Sequence, residues 1–203
     1  MTGKTLTLSP FIKMRRYIIY SLIAFLVFAA VSLYYFNQYW IHRYDELIAR
    51  QAGVYNLDEK LVWSIIYEET YFRAWQIGAA DEVGLMQITP TVAREWAKET
   101  GFKDFEIRVN EDVITFLRDP ERNIQVGCWY LERLRSNYRN FPSEKAMTLA
   151  AYNAGESRVA RWSGKTGAGD PEVFTERIPF VETRDYVRTV LRNRAYYEAL
   201  YAW

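Results

Sequence analysis

The chain has 203 residues, half of them hydrophobic and 17% aromatic, which suits one ordinary domain with an appendage and excludes a disordered or repetitive chain. His42 and Cys128 are its one histidine and one cysteine, so a Ser-His-Asp triad or Cys-His pair within the domain, a zinc site of His and Cys ligands and a disulfide framework all lack residues. The net charge is +1, with Lys4, Lys13, Arg15 and Arg16 unopposed in residues 1–42 and a slightly acidic remainder that gives no electrostatic case for nucleic acid.

Residues 1–16 read as a short basic cytoplasmic tail. Residues 17–36 then carry no charge and are long enough to cross a hydrocarbon core of about 30 Å. Tyr34, Tyr35, Tyr39 and Trp40 follow as an interfacial aromatic belt. Apolarity all round, with basic residues before and aromatics after, predicts a transmembrane anchor and not a buried helix. The basic side stays in the cytoplasm, so residues 37–43 become a juxtamembrane linker and residues 44–203 an extracytoplasmic domain on a single-pass anchor. A cleaved signal peptide fits less well: the run is long, and bulky Phe28 precedes Ala29-Ala30.

From Tyr44 onward the pattern is helical. Residues 44–52 form a short helix stopped by Gly53. Leu57 and Asp58 offer a staple and N-cap for the next helix. Residues 73–88, with Gly78 and Gly84, lack a period and read as a loop. Thr89-Pro90 opens a helix that Gly101 ends. A short apolar cluster spans residues 113–117, and Asp119-Pro120 starts a helix through Tyr138. Pro142-Ser143 opens another that runs into Tyr152-Asn153-Ala154-Gly155. A glycine-rich loop covers residues 164–169, and a last helix runs from about Thr183 to the C-terminus. Nothing alternates as a strand, so the domain is all-α.

The helix after Asp58 holds the first sign of chemistry. Leu61, Val62, Ile65, Ile66 and Phe72 form one stripe, and Glu69 falls near its middle while Glu68 sits about 80° away. A carboxylate on an apolar face resists ionising, as a general acid working near neutral pH requires. The alternatives are a helix end that has already left the apolar face, or a pairing of Glu69 with an arginine.

Other segments combine polar groups with apolar surroundings. The order Ile65-Ile66-x-x-Glu69-Thr70-x-Phe72, Gly84-Leu85-Met86-Gln87, Asp119-Pro120-x-x-Asn123-Ile124, Ala150-Ala151-Tyr152-Asn153-Ala154-Gly155 and Pro179-x-x-Glu182-Thr183-x-x-Tyr186-Val187 resembles the soluble-lytic-transglycosylase catalytic domain over residues 45–200. The resemblance implies a lysozyme-like helical fold with an active-site groove, related to goose-type lysozyme. It implies cleavage of the MurNAc-β-1,4-GlcNAc bond of peptidoglycan strands, with no metal or other cofactor. One glutamate, matching Glu69, serves as acid toward the glycosidic oxygen and then as base toward the C6 hydroxyl, closing a 1,6-anhydro ring. Thr70, Met86, Gln87, Tyr152, Asn153 and Glu182 match substrate-groove positions. For Gln87 the alternative is capping of the following helix, for Tyr152 the core, and for Glu182 a salt bridge to an arginine. Tyr130, Tyr71, Trp75 and Trp162 are either sugar-stacking or core.

Three departures stand out: Thr70 for a serine, Glu68 for a common glutamine, and residues 79–83 without the usual glycine. None removes a catalytic group. Two other functions compete, a hydrolytic muramidase and a non-catalytic glycan-binding or assembly module on the same fold; the second has no need of an acid at Glu69.

Overall fold

A computed structural model describes residues 10–101, 103–163 and 169–200. The chain divides between Arg43 and Tyr44 into two compact units. Residues 1–9 of the expected tail and 164–168 of the expected glycine-rich loop lie outside the described residues.

The first unit is built on one helix, α1 (Pro10–His42). At 1.5 Å per residue its 33 residues reach about 50 Å, beyond the roughly 30 Å of a hydrocarbon core. An 18-residue window here has a mean hydropathy of 2.2 and is not buried at all, so the helix is long and apolar enough to cross a membrane. The helix takes in residues 10–16, expected as tail, and 37–42, expected as linker. No glycine or proline interrupts the chain between Phe11 and His42, so nothing stops the helix where the apolar run stops. At its far end Phe36 packs on Trp40, and the Arg43 guanidinium lies 3.6 Å from the Trp40 ring centre.

The second unit contains the helices α2 (Asp45–Val54), α3 (Glu59–Thr70), α4 (Pro90–Thr100), α5 (Lys103–Glu111), α6 (Val113–Arg118), α7 (Pro120–Ser136), α8 (Glu144–Ala154), α9 (Glu156–Ser163), α10 (Pro171–Glu176) and α11 (Val181–Leu200). Together they form the lysozyme-like all-α fold expected from the sequence. Among the described residues the β contribution is two isolated bridges, Ile77 to Val83 and Val83 to Ile88. Short side chains cap the helices as the sequence indicates: Asp58 accepts from the Lys60 amide, Thr89 from Val92 and Asp119 from Arg122. Gly53 does not stop α2, which continues to Val54 before Tyr55 caps it. The helices α5, α9 and α10 had no counterpart in the sequence pattern. In α5 only Val109 is buried, so it shows no apolar period to read.

The central helix is α3. Residues 61 to 66 are all buried, Trp63 and Ser64 included, so neighbours cover α3 on every side and not along one stripe. The packing partner along its length is α11, which also packs on α8, and α8 in turn packs on α7. The Arg194 guanidinium joins α11 to the Asp58 cap at 2.5 Å and to Glu198 at 2.8 Å. The two ends of α3 emerge: Glu59 is exposed and Lys60 half-buried at its start, and in its last turn Tyr67 is half-buried, Glu68 exposed and Glu69 half-buried.

Candidate active site

The end of α3 is turned sharply by two non-glycine residues in left-handed conformation, Tyr71 (φ 50°) and Phe72 (φ 62°). Such conformations cost energy and persist where surrounding contacts enforce them. The turn returns Phe72 fully to the core and leaves Glu69 at the rim. Asp81 and Gln87 also have positive φ, so four of the five such non-glycine residues in the described chain fall within 71–87.

The Gly84-Leu85-Met86-Gln87 turn is held from inside. Asn123, buried in α7, donates through Nδ2 to the carbonyls of Val83 (2.7 Å) and Leu117 (2.8 Å) and accepts from the Met86 amide at 2.7 Å. Gly84 has φ 75°, and a Cβ there would collide with the Asn123 amide and the Leu117 carbonyl oxygen. Thr70 Oγ1 reaches both the Ile66 carbonyl and the Leu85 carbonyl. From the other side, the Tyr152 hydroxyl donates to the Met86 carbonyl at 2.6 Å.

These contacts frame a cleft of about 550 Å³ lined by Glu69, Glu82, Gln87, Tyr130, Tyr152, Asn153 and Arg158, among others. Its size and its mixture of aromatic and polar walls suit a small-molecule or sugar ligand. Burial pushes the Glu69 carboxyl up to about 7; the Tyr186 hydroxyl opposes the shift, and the charges of Glu68 and Glu82 add to it. No arginine pairs with Glu69 among the described residues, and its side chain remains on the covered side of α3. The group is therefore largely protonated below neutrality and ready to give or take a proton at pH 7. Burial, together with the Glu69 charge, keeps the phenols of Tyr152 and Tyr186 protonated well above their ordinary range. The Tyr186 hydroxyl is buried with no hydrogen-bond partner among the described residues, yet it acts on the Glu69 carboxyl strongly enough to favour its ionised form.

The expected groove residues divide. Glu69, Gln87, Tyr152 and Asn153 line the cleft together. Thr70 and Met86, expected at the substrate, are turned inward: Thr70 is buried on two backbone carbonyls, and Met86 is fully buried against Gly127 beneath the cleft. Met86 presents its backbone to Tyr152 and Asn123, not its side chain to a ligand. Glu182 stands exposed in the first turn of α11, outside the cleft lining. Gln87 does not cap α4, a role that Thr89 takes; its amide donates to the carbonyls of Gln76 and Gly84. Tyr130 joins the cleft wall with its ring 5.6 Å from that of Tyr152, while Trp162 packs on Phe180. Sequence reasoning missed Asn123, Tyr186, Glu82 and Arg158 as site residues. Asn123 and Tyr186 were visible within motifs but without a role, and Glu82 sat in a segment with no period.

The chain is similar to known proteins over this second unit. The family model described as Transglycosylase SLT domain matches residues 46–175. The soluble lytic murein transglycosylase of Escherichia coli (strain K12) is 33% identical over 155 residues, covering 76% of this chain and 23% of that protein. The membrane-bound lytic murein transglycosylase C of Edwardsiella ictaluri is 28% identical over 178 residues, covering 78% of this chain and 47% of that protein. The chain thus spans about a quarter to a half of the length of these relatives. Among solved structures, the 70-kDa soluble lytic transglycosylase of Escherichia coli superposes with a TM-score of 0.68 at 32% identity, over 77% of this chain and 24% of that one. A complex of the 70-kDa soluble lytic transglycosylase with bulgecin A gives a TM-score of 0.69 at 31% identity, over 78% and 24% of the two chains.

Proposed function

This chain belongs to the transglycosylase SLT domain family, and from that premise we propose that it cleaves the MurNAc-β-1,4-GlcNAc bond of peptidoglycan without water, with Glu69 as acid and then base. The observation that carries the proposal is the Glu69 carboxyl, seated at the rim of the cleft and pushed up to about 7 chiefly by burial. Protonated, it gives its proton to the glycosidic oxygen as the C1–O bond breaks and positive charge spreads over C1 and the ring oxygen. Ionised, it then takes the proton of the C6 hydroxyl as O6 bonds to C1. The proton returns to Glu69 in net terms, and no water is consumed. Tyr186 faces the carboxyl and steadies its ionised form between the two steps. Tyr152, locked to the Met86 carbonyl, fixes the wall against which the sugar lies.

Mass spectrometry of purified peptidoglycan digested by the full chain in detergent tests the chemistry. The expected products carry 1,6-anhydro-MurNAc ends, one water lighter than reducing ends. Products with reducing ends alone would replace the intramolecular step with hydrolysis.

The helix α1 anchors the enzyme in the cell membrane with the catalytic domain outside, where the glycan lies. Support comes from the basic residues before the apolar run, the aromatics after it, and a relative named as membrane-bound. Protease added to intact spheroplasts should therefore digest residues 44–203; complete protection until the membrane is broken would reverse the orientation.

A further inference from the structure

We propose that Glu82 is a second catalytic carboxylate, which activates water at C1 so that the same cleft also releases reducing MurNAc ends. The inference rests on the cleavage chemistry assigned to Glu69 and concerns what captures the sugar after the bond breaks. Glu82 lines the cleft with Glu69, on a different element, the loop that leads into Gly84. The two carboxyls share no hydrogen bond among the described residues, yet Glu82 is near enough for its charge to act on Glu69. Two carboxylates on one cleft are the pair that inverting glycosidases use, one as acid toward the leaving oxygen and the other as base toward water.

The side chain is also held in place. Its Oε2 accepts from the Ala80 amide at 3.0 Å. The same carboxyl lies close over the backbone at Gly78, beside the Gln87 side-chain oxygen. The described hydrogen bonding uses Oε2, and Oε1 is the oxygen available to a water.

The chemistry balances. Glu69 protonates the glycosidic oxygen and the C1–O bond breaks, as in the intramolecular branch. A water oxygen then bonds to C1 in place of O6, and its proton passes to Glu82. The product gains one water, and the proton lost by Glu69 is recovered from solvent while Glu82 releases its own.

The test is the ratio of reducing to anhydro ends formed by the full chain in detergent, in water enriched in oxygen-18. The ratio cancels changes in Glu69, which both branches share. Wild-type chain should yield labelled reducing ends beside anhydro ends. In Glu82→Gln, which keeps an oxygen for the Ala80 amide but cannot take a proton, the ratio should fall at least tenfold, within the range lost with a general base. A ratio unchanged in Glu82→Gln, or anhydro ends alone from the wild type, would overturn the role of Glu82 and leave the Glu69 chemistry standing. Absence of any cleavage by the wild type would instead sink the Glu69 assignment. Thermal unfolding shows whether Glu82→Gln folds; if it does not, Glu82→Ala is compared, and an unchanged ratio there counts against the proposal.

Discussion

Glu69→Gln should cleave peptidoglycan at least about 10³-fold more slowly than the wild type, because one substitution removes both the proton donor and the base that follows it. The variant should also be more stable at pH 8. The unfolded chain loses the Glu69 proton near the ordinary carboxylate value of 4.5, and the folded chain holds it until about 7. Between those values the folded state binds more protons, so stability is lost as pH rises through the window. The cost at pH 8 is up to about 3 kcal/mol, from the free-energy equivalent of a pKa unit. Glutamine carries no such cost, so denaturation at pH 5 and pH 8 should show a gap between variant and wild type that opens with pH. Cleavage at wild-type rate would remove Glu69 from the mechanism; a variant equally destabilised at both pH values would make it a structural residue.

The same carboxyl sets the alkaline limb of the wild-type pH–rate profile, with activity falling as pH rises through about 7. Tyr186 favours the ionised form, so Tyr186→Phe moves that limb upward. A limb that stays in place would show that the phenol does not reach the acid.

Much of this was legible in the chain because helices have a period and caps have short polar side chains. The stripe from Leu61 to Phe72 placed Glu69 on a covered face, and Asp58, Thr89 and Asp119 marked three helix starts correctly. Where the sequence misled, the cause was tertiary. A stripe predicts one covered face, yet Trp63 and Ser64 off that stripe are buried as well, since α11 and other helices enclose α3. Thr70 and Met86 are polar or flexible residues within a site motif, and the motif does not say which way they point. That is decided by the left-handed pair Tyr71 and Phe72 and by the bridges through Val83, which have no periodic signature. Tyr186 stood in a motif without a role, and only the packing of α11 on α3 brings its hydroxyl close enough to act on an acid. Glu82 belonged to no period at all.

The contact on which the cleft floor depends is Asn123. Asn123→Ala removes two donated bonds and one accepted bond in a fully buried place, leaving the Val83 and Leu117 carbonyls and the Met86 amide without those partners. Each buried polar group so stranded costs about 1–3 kcal/mol, so three of them cost at least about 3 kcal/mol, which takes much of a typical domain's stability. Asn123→Asp should be nearly as damaging, because it turns a carboxylate oxygen toward two carbonyl oxygens. Gly84→Ala disturbs the same joint from the other side, adding a Cβ at φ 75° where it meets Asn123 and backbone. In all three variants the turn carrying Gln87 and following Glu82 shifts, so cleavage falls together with the denaturation midpoint, unlike Glu69→Gln, which separates activity from stability. An Asn123→Ala chain within about 0.5 kcal/mol of wild type, the margin of an ordinary surface substitution, would show that the turn is held by Tyr152 and Thr70 without it.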